Sequence, residues 1–264
     1  MIDAREKLDE LGLKPVRGQN FLTSETSVKA LVEAGEVENK KVLEIGPGLG
    51  AITKELEGRA EKVYAVEKDT VLSQYLKRNF DGDVEIINEN ILEYDIPEVD
   101  RCVSNLPFQI SSEVIELLGR KQIQSTLILQ KELAEKAVRD PGESDYGRFT
   151  LMVNYFFVPV KLQDISSESY YPEPEVDTSV LKLYPNKDRH GVENREQFFE
   201  MVKALFTHKR KKVRNAFVDS RHILEISKED AKQLRDSLPH SEIRVINLDV
   251  RKVADIAEFF SDEH

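Results

Sequence analysis

With 264 residues, 49 acids against 38 lysines and arginines and a formal net charge of −11, the chain can build one large domain or a medium domain with a small companion. It has no apolar run long enough to span a bilayer, and its first residues, Met1-Ile2-Asp3-Ala4-Arg5-Glu6, carry acids where a targeting peptide would not, so a soluble cytoplasmic protein is expected. A single cysteine, Cys102, excludes an intramolecular disulfide and a cysteine-based zinc site, and the five histidines show no ligand spacing, so no metal is expected.

Lys41-Val42-Leu43-Glu44-Ile45 predicts a strand, Gly46-Pro47-Gly48-Leu49-Gly50 a glycine turn, and Ala51 to Leu56 a helix. Val63 to Glu67 reads as a second strand, Val71 to Phe80 as a helix and Val84 to Ile87 as a third strand. Arg101 to Ser104, a helix from about Ser112 to Leu118, and Thr126 to Gln130 continue the rhythm. Leu151 to Phe157 and Ser179 to Leu183 complete a sheet of about seven strands. Strands alternating with helices imply βαβ units and a mostly parallel sheet, an α/β fold.

The polar, turn-rich segment 184–191 reads as a linker. Beyond it Phe198, Phe199, Val202, Leu205 and Phe206 share one helical stripe. Val250, Val253, Ile256 and Phe260 form another, after Asp249 as N-cap. The expected organisation is an α/β domain over 1–185 and a small all-α domain over 190–264.

Asn105-Leu106-Pro107-Phe108 follows a strand, at the end where open α/β sheets bind ligands. A side-chain amide, an exposed backbone carbonyl, a stiff proline and an aromatic ring are the parts that grip a planar base by its exocyclic amine. The glycines of the turn at 46–50 allow backbone to approach a ligand closely. Glu67, 21 residues after Gly46, stands where an acid accepts the two hydroxyl protons of a ribose. The spacing is G-x-G-x-G, which weakens a nicotinamide reading. Asn90, after the third strand, is either part of a solvated loop or an amide that accepts from an adenine N6 and donates to its N1.

Gly18-Gln19-Asn20-Phe21-Leu22, Glu44 to Gly50, Glu67, Asn105 to Phe108, Gln130-Lys131-Glu132, Tyr146-Gly147-Arg148 and Pro172 to Asp177 occur in the order seen in the ribosomal RNA adenine dimethyltransferases, the KsgA family. The chain resembles an archaeal member of that family from about residue 15 to 217. The resemblance implies a class I methyltransferase (Rossmann-like) fold with S-adenosyl-L-methionine as donor. It also implies N6,N6-dimethylation of two adjacent adenosines near the 3′ end of small-subunit rRNA, within an immature small ribosomal subunit, by a monomer.

Carried over by motif, Gln19, Asn20 and Leu22 resemble the segment that closes over the cofactor. Gly46 and Gly48 correspond to the methionine end, Glu67 to the ribose, Asn90 to the cofactor adenine, and Asn105 to the boundary with the target base. Two residues depart from the family pattern: Asn90 stands where Asp is usual and Phe108 where Tyr is usual. Asn keeps one acceptor oxygen and loses the charge, while Phe keeps the ring face and loses the hydroxyl. Tyr170 reads either as a second aromatic wall or as a core ring.

Lys209, Arg210, Lys211, Lys212 and Arg214 put five cations into seven residues. Such a run is either a solvated face or a contact for RNA phosphates, and its density in an acidic chain favours RNA. Lys14, Arg17, Lys131 and Arg148 extend the expected basic surface. Two other function classes stay open. One is a ribosome-assembly factor that kept the fold and lost turnover; the other is a methyltransferase of DNA adenine or glutamine, which Leu106 disfavours.

Overall fold

The computed structural model describes residues 3–16, 18–188, 192 and 194–263; Met1, Ile2, Arg17, Arg189, His190, Gly191, Glu193 and His264, which carry parts of the expectations above, lie outside the described residues. Two compact units divide the chain: Met1–Glu135 with Val158–Pro185, and Lys136–Phe157 with Asn186–His264. Residues 136–157, which the expected boundary at 185 assigns to the α/β domain, cluster with the second unit.

In the first unit α1 (Ala4–Glu10) is followed by a two-residue strand β1 (Phe21–Leu22) and by α2 (Glu25–Gly35). Strands and helices then alternate: β2 (Lys41–Ile45), α3 (Ala51–Leu56), β3 (Lys62–Val66), α4 (Thr70–Asn79), β4 (Val84–Ile87), β5 (Arg101–Asn105), α5 (Ser111–Arg120), β6 (Gln124–Gln130) and α6 (Lys131–Ala137). The remaining strands are β7 (Phe157–Ile165), the two-residue β8 (Tyr170–Tyr171) and β9 (Thr178–Pro185).

Seven of these strands form one sheet in the order β4-β3-β2-β5-β6-β9-β7. The β4, β3, β2, β5 and β6 neighbours pair in parallel, and β9 runs antiparallel to β6 with Val180 opposite Ile128. Four of the five residues of β2 and three of those of β5 are buried, as expected of strands covered on both faces. Leu31 and Val32 of α2, with Val42, Val63, Val103 and Ile128 of the sheet, belong to one apolar core. A fully buried Val or Leu side chain contributes about 1.5–3 kcal/mol, so this cluster holds helix and sheet in register.

Strand order decides where the site lies. β2 has β3 on one side and β5 on the other, so the connections reverse direction between β2 and β5, opening a crevice at their carboxyl ends. Helix caps reinforce that edge: the Asp69 carboxylate accepts from the N–H groups of Val71 and Leu72 at 2.8 and 3.0 Å, fixing the start of α4 just beyond β3.

The second unit holds α7 (Arg148–Phe156), α8 (Arg195–Phe206), α9 (Val213–Asp219), α10 (Lys228–Leu234) and α11 (Val250–Glu263). Its core is aromatic: Tyr155 stacks on Phe198 at 5.1 Å, and Phe217 meets Phe260 edge-on at 5.8 Å. Asp249 accepts from the Lys252 N–H at 2.9 Å, as its N-cap expectation requires.

One strand expectation is corrected. Residues 151–156 lie in α7, Phe157 begins β7, and β7 is the additional strand of the sheet. Thr150, Leu151, Val153, Tyr155 and Phe156 are all buried, and a short apolar run buried on most sides gives no periodicity to separate helix from strand. The starting signal is polar: the Thr150 hydroxyl accepts from Gly147 N–H and donates to the Lys136 carbonyl.

Candidate active site

At the end of β2 the chain turns through Gly46 and Gly48 with φ of 66° and 58°, in the left-handed region. A Cβ added at Gly48 would lie 3.0 Å from the Phe21 ring, so a side chain there would be strained in conformation and would press on that ring. The turn thereby brings bare backbone to the crevice. It is held there from β3: Gly46 N–H donates to the Val66 carbonyl at 2.9 Å, and Gly48 N–H to Glu67 Oε2 at 3.1 Å.

Glu67, at the tip of β3, is 5 % exposed. Its Oε1 accepts from Asp69 N–H at 2.9 Å, so each carboxylate oxygen has one backbone donor and a lone pair left over. Burial pushes this carboxyl above its ordinary range, while the Asp69 and Gly48 N–H groups pull it back. Asn88 braces the same tip by donating to the Glu67 carbonyl at 2.9 Å.

Beyond β4, Asn90 opens a turn in which its carbonyl accepts from the N–H groups of Glu93 and Tyr94, each at 2.9 Å. The Asn90 side chain accepts from Leu92 N–H at 3.2 Å and donates to Glu93 Oε1 at 2.9 Å.

Asn105 ends β5. Its Nδ2 donates to the Asn20 carbonyl at 3.2 Å, while its Oδ1 is buried without a hydrogen-bond partner. Leu106 is 1 % exposed and its N–H donates to the Ile128 carbonyl at 3.2 Å. The Pro107 carbonyl accepts from Ile110 N–H and the Ser111 hydroxyl, so Phe108 starts a short 3-10 turn feeding α5.

The N-terminal segment closes the arrangement. β1 pairs antiparallel with β8, Phe21 opposite Tyr171 and Leu22 opposite Tyr170, and Asn20 Nδ2 donates to the Pro172 carbonyl at 2.7 Å. Gln19 turns inward on its own loop, its Oε1 accepting from Val16 N–H at 3.3 Å. Tyr170 is a core ring, 5 % exposed, with its hydroxyl 2.7 Å from that of Thr178.

These elements surround one cavity of about 400 Å³, a size suited to a nucleoside-like ligand. Gln19, Asn20, Leu22, Gly46, Gly48, Glu67, Asn90 and the whole 105–108 turn line it, together with Gln109 and Lys68. The lining fits a nucleoside bearing an amino-acid tail: glycine backbone, a buried acid with spare lone pairs, and an unmatched acceptor at Asn105. Sequence reading missed the wall from α1, whose Ala4 lines the cavity while Leu8 packs with Phe21, Leu49 and Leu72.

The basic run lies in the second unit, where its charges are mostly paired. Lys209 Nζ donates to the Ser144 carbonyl at 2.7 Å, Lys211 pairs with Asp219 at 2.6 Å and Lys212 with Glu242 at 2.6 Å. Arg214 also pairs with Glu242. Arg210, and Arg148 at the start of α7, are exposed and make no ion pair among the described residues. The run therefore combines ion-paired and exposed cations. The partners of Lys211 and Lys212 stand 8 and 30 residues away, which a local charge count does not register.

Fold, crevice and lining together define a class I, S-adenosylmethionine-dependent methyltransferase. The model of the family described as ribosomal RNA adenine dimethylase matches residues 12–235. A probable ribosomal RNA small subunit methyltransferase A of Thermococcus sibiricus is 38% identical over 264 residues, spanning 97% of this chain and 96% of that protein. Its counterpart in Thermococcus kodakarensis is 41% identical over 252 residues, 93% and 89% of the two chains. A dimethyladenosine transferase from Plasmodium falciparum superposes with a TM-score of 0.81 at 24% identity, covering 92% of this chain and 98% of that one. The 23S rRNA methyltransferase ErmE superposes at 0.65 with 22% identity, covering 90% and 98%. This chain belongs to the ribosomal RNA adenine dimethylase family, and its activity is S-adenosylmethionine-dependent dimethylation of rRNA adenine. No described helix is long and apolar enough to cross a membrane.

Proposed function

We propose that the chain dimethylates N6 of two adjacent adenosines near the 3′ end of small-subunit rRNA, in the cytoplasm, within an immature small subunit. The observation that carries the chemistry is Asn105. Its Nδ2 is committed to the Asn20 carbonyl, which fixes the amide, and its buried Oδ1 has no partner. An unmatched buried acceptor costs about 1–3 kcal/mol, a cost that an arriving N–H donor removes.

An adenine N6 lone pair is delocalised into the ring, which makes the amine a poor nucleophile. Asn105 Oδ1 and the Leu106 carbonyl accept its two hydrogens, favour a pyramidal nitrogen and stabilise the positive charge that develops there. Phe108 provides the ring on which a base taken out of its stack rests. Glu67 binds the cofactor ribose, Gly46 and Gly48 carry its amino-acid end, Asn90 its adenine, and Asn20, Gln19 and Leu22 shut the cavity. The cofactor, when bound, supplies an electrophilic methyl group on a sulfonium. Positioning supplies much of the acceleration, and no covalent enzyme intermediate is needed. Arg210 and Arg148 contact rRNA phosphates.

The test incubates immature small subunits with labelled methyl donor and maps the product by nuclease digestion and mass spectrometry. Two neighbouring dimethyladenosines in the small-subunit rRNA are expected. Subunit binding without methyl incorporation, or methylation confined to large-subunit rRNA, would overturn the reading.

A further inference from the structure

Asn90 presents a problem that a carboxylate in the same place would not. A side-chain amide has an acceptor on one side and a donor on the other, and rotating it by half a turn exchanges them. A wall meant to accept from an exocyclic amine therefore works in only one of two orientations. The neighbours decide between them. Leu92 N–H can only donate and lies 3.2 Å from Oδ1; the Glu93 carboxylate accepts, and lies 2.9 Å from Nδ2. Reversal would set N–H against N–H and oxygen against carboxylate.

The turn itself supplies this arrangement. The Asn90 carbonyl accepts from Glu93 and Tyr94 N–H at 2.9 Å, so residue 93 returns above residue 90, as the fourth residue does in a capping box. Here the returning acid meets the side-chain amide. Glu93 is exposed and outside the cavity, whereas Asn90 lines it.

We propose that Glu93 is a positioning residue that locks the Asn90 amide with its oxygen as acceptor, making the cavity selective for a cofactor base with an exocyclic amine. This rests on the assignment of Asn90 to the cofactor adenine. Oδ1 keeps a second lone pair for the amine, and Nδ2 keeps a second hydrogen for the neighbouring ring nitrogen. A base with a carbonyl and a protonated ring nitrogen in those places meets the wrong group twice.

Calorimetric titration with S-adenosylhomocysteine and with its deaminated analogue, S-inosylhomocysteine, tests this without turnover. Wild type should favour the amine by roughly 100-fold. Glu93→Ala should reduce that preference about tenfold, chiefly by weakening the amine ligand, and Glu93→Gln, which retains an acceptor oxygen, should restore most of it. In an Asn90→Asp background, where there is no amide to reverse, Glu93→Ala should leave the preference unchanged. An unaltered preference in Glu93→Ala, or equal loss for both ligands, would overturn the proposal. So would a wild-type protein that binds both ligands alike. Absence of S-adenosylhomocysteine binding in wild type would instead defeat the cofactor reading, and this inference with it.

Discussion

The Asn105 side-chain amide donates to the main-chain carbonyl of Asn20 across 3.2 Å and 85 positions of sequence. Asn20 in turn reaches the Pro172 carbonyl at 2.7 Å, so three distant segments meet at the mouth of the cavity. Removing the Asn20 side chain should release the N-terminal segment from Pro172 without removing the carbonyl that holds Asn105. Asn20→Ala is expected to cost about 1 kcal/mol of stability and to weaken binding of S-adenosylhomocysteine about tenfold. Thermal melts with and without that ligand measure both effects.

Gly48 gives a backbone test. With φ at 58° and the Phe21 ring 3.0 Å from any added Cβ, Gly48→Ala strains the turn and pushes into the N-terminal segment. A loss of about 1–2 kcal/mol is expected from the conformation. Ligand-induced stabilisation should shrink as well. A melting curve that matches wild type in both respects would mean the turn is not the cofactor's cradle.

Glu44 predicts a pH dependence. It is fully buried on β2, accepts from the Thr53 hydroxyl at 2.7 Å, and burial pushes its carboxyl up to about 8. The folded state thus keeps a proton that the unfolded chain gives up at ordinary carboxylate pH. This contribution to stability is complete below the unfolded value of 4.5 and is lost as pH rises through about 8. Glu44→Gln keeps an acceptor for Thr53 and has nothing to ionise. Its unfolding free energy from denaturant titration should fall less than wild type's between pH 5 and 8, by an amount on the order of a few kcal/mol at the alkaline end.

The exposed arginines of the second unit and the hydrogen-bonded Lys209 should separate in two assays. Arg210→Ala and Arg148→Ala should weaken subunit binding and each lower the salt dependence by about one phosphate contact. Lys209→Ala, which loses its bond to the Ser144 carbonyl, should register mainly as a lower melting temperature. An unchanged salt slope in both arginine variants would remove them from the RNA surface.

Much of this site can be read in the sequence because its parts are local. The 46–50 turn, Glu67, Asn90 and the 105–108 turn each follow a strand, and in a parallel sheet successive strand tips share one edge. What was illegible depends on distant partners. The two-residue pairing of β1 with β8 has too few residues for periodicity, and Glu242 beside Lys212 and Arg214 is fixed only by the fold. α7 is not legible as a helix because its buried faces erase the helical pattern. The Asn90-x-x-Glu93 spacing, by contrast, is local and stands in the sequence.

The account turns on Asn105 Oδ1 as the acceptor for the target amine. Single-turnover methyl transfer to small subunits, measured for wild type and Asn105→Ala alongside S-adenosylhomocysteine affinity, tests it most directly. Asn105→Ala should lose about 100-fold or more in the transfer rate while affinity changes far less, because the interaction strengthens as charge develops on N6. A transfer rate within a fewfold of wild type would contradict the account.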